Sequence, residues 1–157
     1  YSKKYKSLEE LPSKARVAIP NDPVNLARAL ILLHRAGLIQ LKDINNELST
    51  TQDIIANPKQ LSFVEVEGPQ TAHAYNDVDL IFGFPHYLKM AKVTDPHSAL
   101  FLDPIDKKYA ILFVTRRDYQ DKNQKLATFV KAFQNSKQAQ DILDKDFGKG
   151  MWFQGWK

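Results

Sequence analysis

Residues 17–39 read VAIPNDPVNLARALILLHRAGLI, and this stretch decides the fold. An extended run, Ala15 to Ile19, enters a Pro20-Asn21-Asp22-Pro23 turn, and a strongly amphipathic helix leaves it. Asp22 suits the N-cap, where a carboxylate accepts from an orphan backbone N–H. Pro23 suits the first helical position, where its missing N–H costs nothing. Leu26, Leu30 and Leu33 recur at i, i+4 and i+7, and Gly37 closes the helix after Ala36. A strand–turn–helix of this kind points unpaired backbone N–H groups beyond the sheet edge, a ready place for a carboxylate or phosphate. Asn25 and Arg28 are three residues apart and share a face near that end. An amide and a guanidinium there can hold a carboxylate by parallel hydrogen bonds. The plainer alternative is an ordinary βα unit with a solvated arginine, because fold geometry alone does not make a site.

Outward from this unit, strands and helices alternate. Ser7 has capping-box spacing to Glu10 and predicts a short helix. Thr50 to Ala56 predicts a helical turn stopped by Asn57-Pro58. Ser62 to Glu67 alternates as a strand and breaks at Gly68-Pro69, and a short helix is expected near Thr71 to Tyr75. Val78 to Phe84 reads as a second buried strand, with Pro85 opening a helix over His86 to Ala91. Ala99 to Leu102 reads as a short strand and Asp103-Pro104 to Lys108 as a turn. Tyr109 to Thr115, YAILFVT, is apolar on both faces and predicts a central strand. Leu126, Phe129, Val130 and Phe133 form one helical stripe, after which Ser136 caps a second helix carrying Ala139, Ile142, Leu143 and Phe147. The aromatic ending, GKGMWFQGW, is expected to dock on a core. The alternation predicts an α/β fold with a largely parallel sheet, whose ligands sit beyond the carboxyl ends of the strands.

Composition excludes several classes. With 157 residues, 43% hydrophobic and 25% charged, the chain has enough apolar material for a real core and is not disordered in type. No apolar run is long enough to span a bilayer. Tyr1 to Lys6 is basic but leads straight into Ser7-Leu8-Glu9-Glu10, so no signal peptide is read there. The absence of cysteine removes disulfides, thiolate chemistry and sulfur-bound zinc, and fits either a reducing or an oxidising compartment. The net charge of +4 is spread along the chain, with acidic residues between the basic ones and no basic group interleaved with aromatics as a stacking platform would be. Solvated surface is therefore preferred over nucleic-acid binding. Of His34, His73, His86 and His97, His34 is expected to be partly buried or at the surface, and no carboxylate lies at ligand spacing from both His73 and His86, so no metal site is assigned. No nucleophile elbow, P-loop or dinucleotide fingerprint occurs, so neither catalysis nor a cofactor is expected.

The segments KKYKSLEELP and VAIPNDPVNLARALILLHRAGLI together resemble the signature of the NlpA/MetQ family, the methionine-binding lipoproteins that feed ABC importers. DIIANPKQLSFVEVEGPQ, ALFLD, YAILFVTRRD and the glycine-tryptophan ending are similar to later family segments, in family order. The resemblance implies a periplasmic substrate-binding-protein-like (type II) α/β fold. Residues 1–102 would form its second lobe. Residues 103–157 would supply the hinge return strand and C-terminal helices of an incomplete first lobe. The family's lipid-bearing cysteine and first strand–helix units have no counterpart in this sequence. Domain swapping into a homodimer is one way to cover the sheet edge that this leaves.

The resemblance also implies roles for residues. Arg28 matches the arginine expected to hold the ligand's α-carboxylate, and Asn25 the asparagine beside it that shapes the turn. The family has a threonine where Val24 stands, and an arginine-containing stretch where His73-Ala74-Tyr75-Asn76 stands. An Asn-Thr pair that contributes an amide to the ligand is replaced within Gly83-Phe84-Pro85-His86, which makes Phe84 and His86 the further ligand-binding candidates. The implied function is a substrate-binding component of an ABC importer for methionine or a related amino acid, closing about a hinge without covalent chemistry. Its partners would be the amino-acid ligand and the transporter permease, at the cell envelope. The alternative is an effector-sensing or oligomerisation module of the same lobe architecture.

Overall fold

A computed structural model describes residues 1–103 and 106–156. The chain divides into two compact units, Tyr1–Asp103 and Pro104–Lys157. In the first unit, β1 (Arg16–Pro20) lies at the centre of a three-stranded parallel sheet, flanked by β4 (Ser62–Val66) and β5 (Leu80–Ile81). Val17 pairs with Phe63 on one side and with Leu80 on the other. A central parallel strand is covered on both faces, which is why RVAIP is apolar almost throughout. Its side chains alternate between two cores. Val17 and Ile19 join the leucines of α1 (Pro23–Arg35), together with Leu61 and Leu80. Ala18 faces the other way, into a cluster with Ala72 of α2 (Gly68–His73), Tyr75, Ile81 and Leu88 of α3 (Pro85–Ala91). The class expected from the sequence, α/β with a parallel sheet, is the class observed.

The β1–turn–α1 unit forms as its residues dictate. Asp22 is extended at φ −76° and ψ 142°, and its carboxylate accepts from the Asn25 backbone N–H at 3.1 Å and from Asn25 Nδ2 at 3.0 Å. Gly37 takes φ +73° just beyond the helix, a left-handed conformation that suits a residue without a Cβ. Asp22→Ala removes both bonds and is expected to lower stability by about 1 kcal/mol. A urea midpoint that does not move would refute this role for the cap.

Five local expectations are corrected. Ser7 to Glu10 is a turn and not a helix. Glu10 reaches back to accept the Lys6 backbone N–H at 2.8 Å, and Pro12 follows before a helix can propagate. Thr50 and Asp53 do form a capping box, but it heads only a 3₁₀ turn, Thr51–Asp53. The chain then enters β3 (Ile54–Ala56), which pairs antiparallel with β2 (Gln40–Leu41) because two β-branched isoleucines favour the strand. Val78 to Phe84 is paired as a strand only over Leu80–Ile81, opposite Val17 and Ala18. Ala99 to Leu102 is not a strand; a 3₁₀ turn at Pro96–Ser98 leads into it, capped by Asp95.

In the second unit, the central strand expected over Tyr109 to Thr115 does not form. Residues 110–115 carry no ladder, and Ile111 and Val114 are 95% and 85% exposed. A strand exists only as one member of a pair, and among the described residues none lies beside it. Part of the turn expected at Asp103-Pro104 to Lys108 lies outside the described residues; a 3₁₀ turn is present over Lys107–Tyr109. The two helices form as expected, α4 (Lys125–Asn135) and α5 (Lys137–Phe147), with Ser136 Oγ accepting from the Ala139 N–H at 3.1 Å. Phe113 meets Phe129 and Phe133 edge-on at 5.8 and 5.5 Å. The aromatic tail docks within this unit: Trp152 Nε1 donates to Asp144 at 2.8 Å, and Trp156 packs on Phe133 at 6.3 Å.

Candidate functional site

β1 and β5 are parallel neighbours, so their carboxyl ends open on the same edge. From β1 the chain turns into α1, which carries Asn25 and Arg28; from β5 it passes through Phe82, Gly83 and Phe84 into α3. Residues 56 apart in sequence thereby become neighbours. The Arg28 guanidinium carbon lies 5.6 Å from the centre of the Phe84 ring, a cation–π arrangement. Gly83 lets this segment pass close to the second core, since a Cβ there would lie 3.3 Å from Leu88 and 3.4 Å from Tyr1.

Phe84 belongs to an aromatic group. Its ring stands edge-on to Phe82 at 5.2 Å and to Tyr87 at 5.9 Å, with His86 tilted at 5.9 Å. His86 also lies 4.0 Å from Tyr87. Burial lowers the His86 pKa below its ordinary 6.5, which favours the neutral ring at pH 7. The arrangement is an apolar, aromatic wall with one guanidinium beside it, suited to an anionic group attached to an apolar body.

Of the four candidates named from the sequence, Arg28, Phe84 and His86 converge. Asn25 lies one turn before Arg28, and its side-chain amide is engaged by the cap carboxylate of Asp22. A small apolar cavity of about 40 Å³, lined by residues including Leu33, Ala36, Leu38, Phe82 and Leu100, shares Phe82 with the aromatic group but is lined by none of the four. Among the other histidines, His34 Nδ1 accepts the Leu41 backbone N–H at 2.9 Å and His97 pairs with Asp95 at 3.0 Å.

Sequence reasoning missed Asp103. Its carboxylate meets Arg28 Nε at 3.0 Å and Arg35 Nη1 at 3.1 Å. The available signal was the spacing of Arg28 and Arg35, seven residues apart on one face of α1, two cations that call for an anion.

The first unit is a parallel α/β fold with a cation and an aromatic wall at the carboxyl edge of its sheet, where ligands of such folds bind. The NlpA lipoprotein family model matches residues 1–156, and the chain belongs to that family. It is 42% identical over 156 residues to the probable D-methionine-binding lipoprotein MetQ of Pasteurella multocida, covering 99% of this chain and 55% of the relative. Against outer membrane lipoprotein 1 of Mannheimia haemolytica the identity is 40%, over 99% of this chain and 55% of that one. A nutrient-binding protein from Burkholderia cenocepacia, solved bound to methionine, superposes with a TM-score of 0.82 at 37% identity, covering 96% of this chain and 63% of that one. The chain thus spans about half the length of the curated relatives it matches.

Proposed function

We propose that this chain supplies the second lobe and the return segment of a substrate-binding protein serving an ABC importer for methionine or a related amino acid. The observation that carries the reading is Arg28 beside the Phe84 ring at the carboxyl edge of the sheet. A guanidinium suits an α-carboxylate, and the Phe82, Phe84 and Tyr87 rings suit an apolar side chain. The D-methionine-binding names of several relatives support the same ligand class. Asn25 would hold the turn in shape, and His86, neutral at pH 7, would line the wall. No covalent chemistry is needed; binding would act by hinge closure, with residues 1–102 as one lobe and 103–157 returning to the other. Ile111 to Val114 would then gain strand partners from the sheet of the first lobe. The relatives' description as lipoproteins supports action at the cell envelope beside a permease. No helix among the described residues is long and apolar enough to cross a membrane.

Calorimetry against an amino-acid panel tests this reading. Methionine or a close analogue is expected to bind, and Arg28→Ala to weaken it about a hundredfold by removing charge-assisted hydrogen bonds. Arg28→Lys keeps the charge without the planar fork and should fall between the two. Absence of any binding, or equal affinity in Arg28→Ala, would sink the proposal.

A further inference from the structure

We infer that Asp103 is the positioning residue of the Arg28 carboxylate clamp; the inference rests on the functional reading above. Arg28 is a long side chain that loses considerable freedom when fixed, so a useful clamp needs something to fix it. Asp103 does so from the end of the first unit, with one oxygen on Arg28 Nε at 3.0 Å and the other on Arg35 Nη1 at 3.1 Å. The Nε contact matters in particular. It sets the plane of the guanidinium at its inner edge, while the Phe84 ring sets its height at 5.6 Å. Arg35, one heptad further along α1, anchors the second oxygen and stops the carboxylate from swinging away. Two guanidiniums share this one carboxylate. Asp103 is only 15% exposed and Arg28 24%, so water screens the pair less than it would a surface bridge. Asp103 also ends the unit that carries the clamp.

The test compares methionine with methioninamide, which lacks the carboxylate, in the full 157-residue chain. Asp103→Asn is expected to weaken methionine about tenfold or more and to change methioninamide by less than about twofold. Asp103→Glu should recover part of the loss. A merely structural role would weaken both ligands alike, and that result overturns the inference, as does an Asp103→Asn protein that binds methionine normally. Arg28→Ala separates the two readings. If it fails to abolish the preference for methionine over methioninamide, the clamp itself is wrong. Should the unmutated chain bind neither ligand, the functional reading falls and the Arg28 Nε–Hε resonance decides the positioning role alone. A shift and faster exchange in Asp103→Asn would sustain it, and an unchanged signal would overturn it.

Discussion

Leu30→Ala is expected to cost about 3–5 kcal/mol, enough to unfold much of the first unit at room temperature. Leu30 is fully buried on α1, in the cluster that contains Val17 and Ile19 of the central strand and Leu80 of its neighbour. Deleting its isobutyl group removes apolar area from the core and leaves a void that a helix clamped between its Asp22 cap and Gly37 cannot collapse into. The consequence reaches the site, because the same helix holds Arg28 two residues away. Hydrogen exchange of the α1 amides, Leu30 to Leu33, reads the effect directly; both tryptophans, Trp152 and Trp156, lie in the second unit and report on that instead. Leu48→Ala is the control, since Leu48 is 64% exposed and the same deletion there should cost under about 0.5 kcal/mol. Equal losses in the two variants would show that α1 is not packed as described.

How far the sequence discloses this architecture depends on whether the signal is local. Asp22, Pro23, the leucine stripe and Gly37 carry their own instructions, and β1 with α1 forms within a residue of the expected bounds. The serine cap of α5 is legible for the same reason. Signals that need a distant partner read less well. YAILFVT has every property of a buried strand, yet composition cannot state whether a neighbouring strand is present, and residues 110–115 are unpaired. Ser7 and Glu10 have the spacing of a helix start, but a cap only begins a helix and Pro12 leaves it no room. The site divides in the same way. Arg28 stands out within its own motif, whereas its approach to Phe84 depends on β5 pairing beside β1. Asp103 is a single acid before a proline, 75 residues from its partner, and no periodicity marks it.

A polypeptide prepared with a free amine at Tyr1 is expected to lose up to about 4 kcal/mol of stability as the pH falls from 8 to 5. Tyr1 is buried at the edge of the sheet, where it exchanges two backbone hydrogen bonds with Ile81, both 2.9 Å long. Its phenol donates to the Pro96 carbonyl at 3.0 Å and packs in the second core. Desolvation disfavours the ammonium form there and lowers its pKa from 8.0 to about 5. Between those values the unfolded chain carries a proton that the folded chain does not, so unfolding takes up a proton and stability rises with pH. The contribution is complete above pH 8 and absent below about pH 5, where both states are protonated. Other groups also contribute to the pH profile, so the informative quantity is a difference between two forms. Acetylating the amine keeps its N–H donor for Ile81 but removes the charge, and should flatten that part of the profile. Urea midpoints for the two forms should therefore converge near pH 8 and separate progressively towards pH 5. Parallel profiles would mean that the ammonium stays hydrated and that the Tyr1 edge opens before the amine is stripped of water.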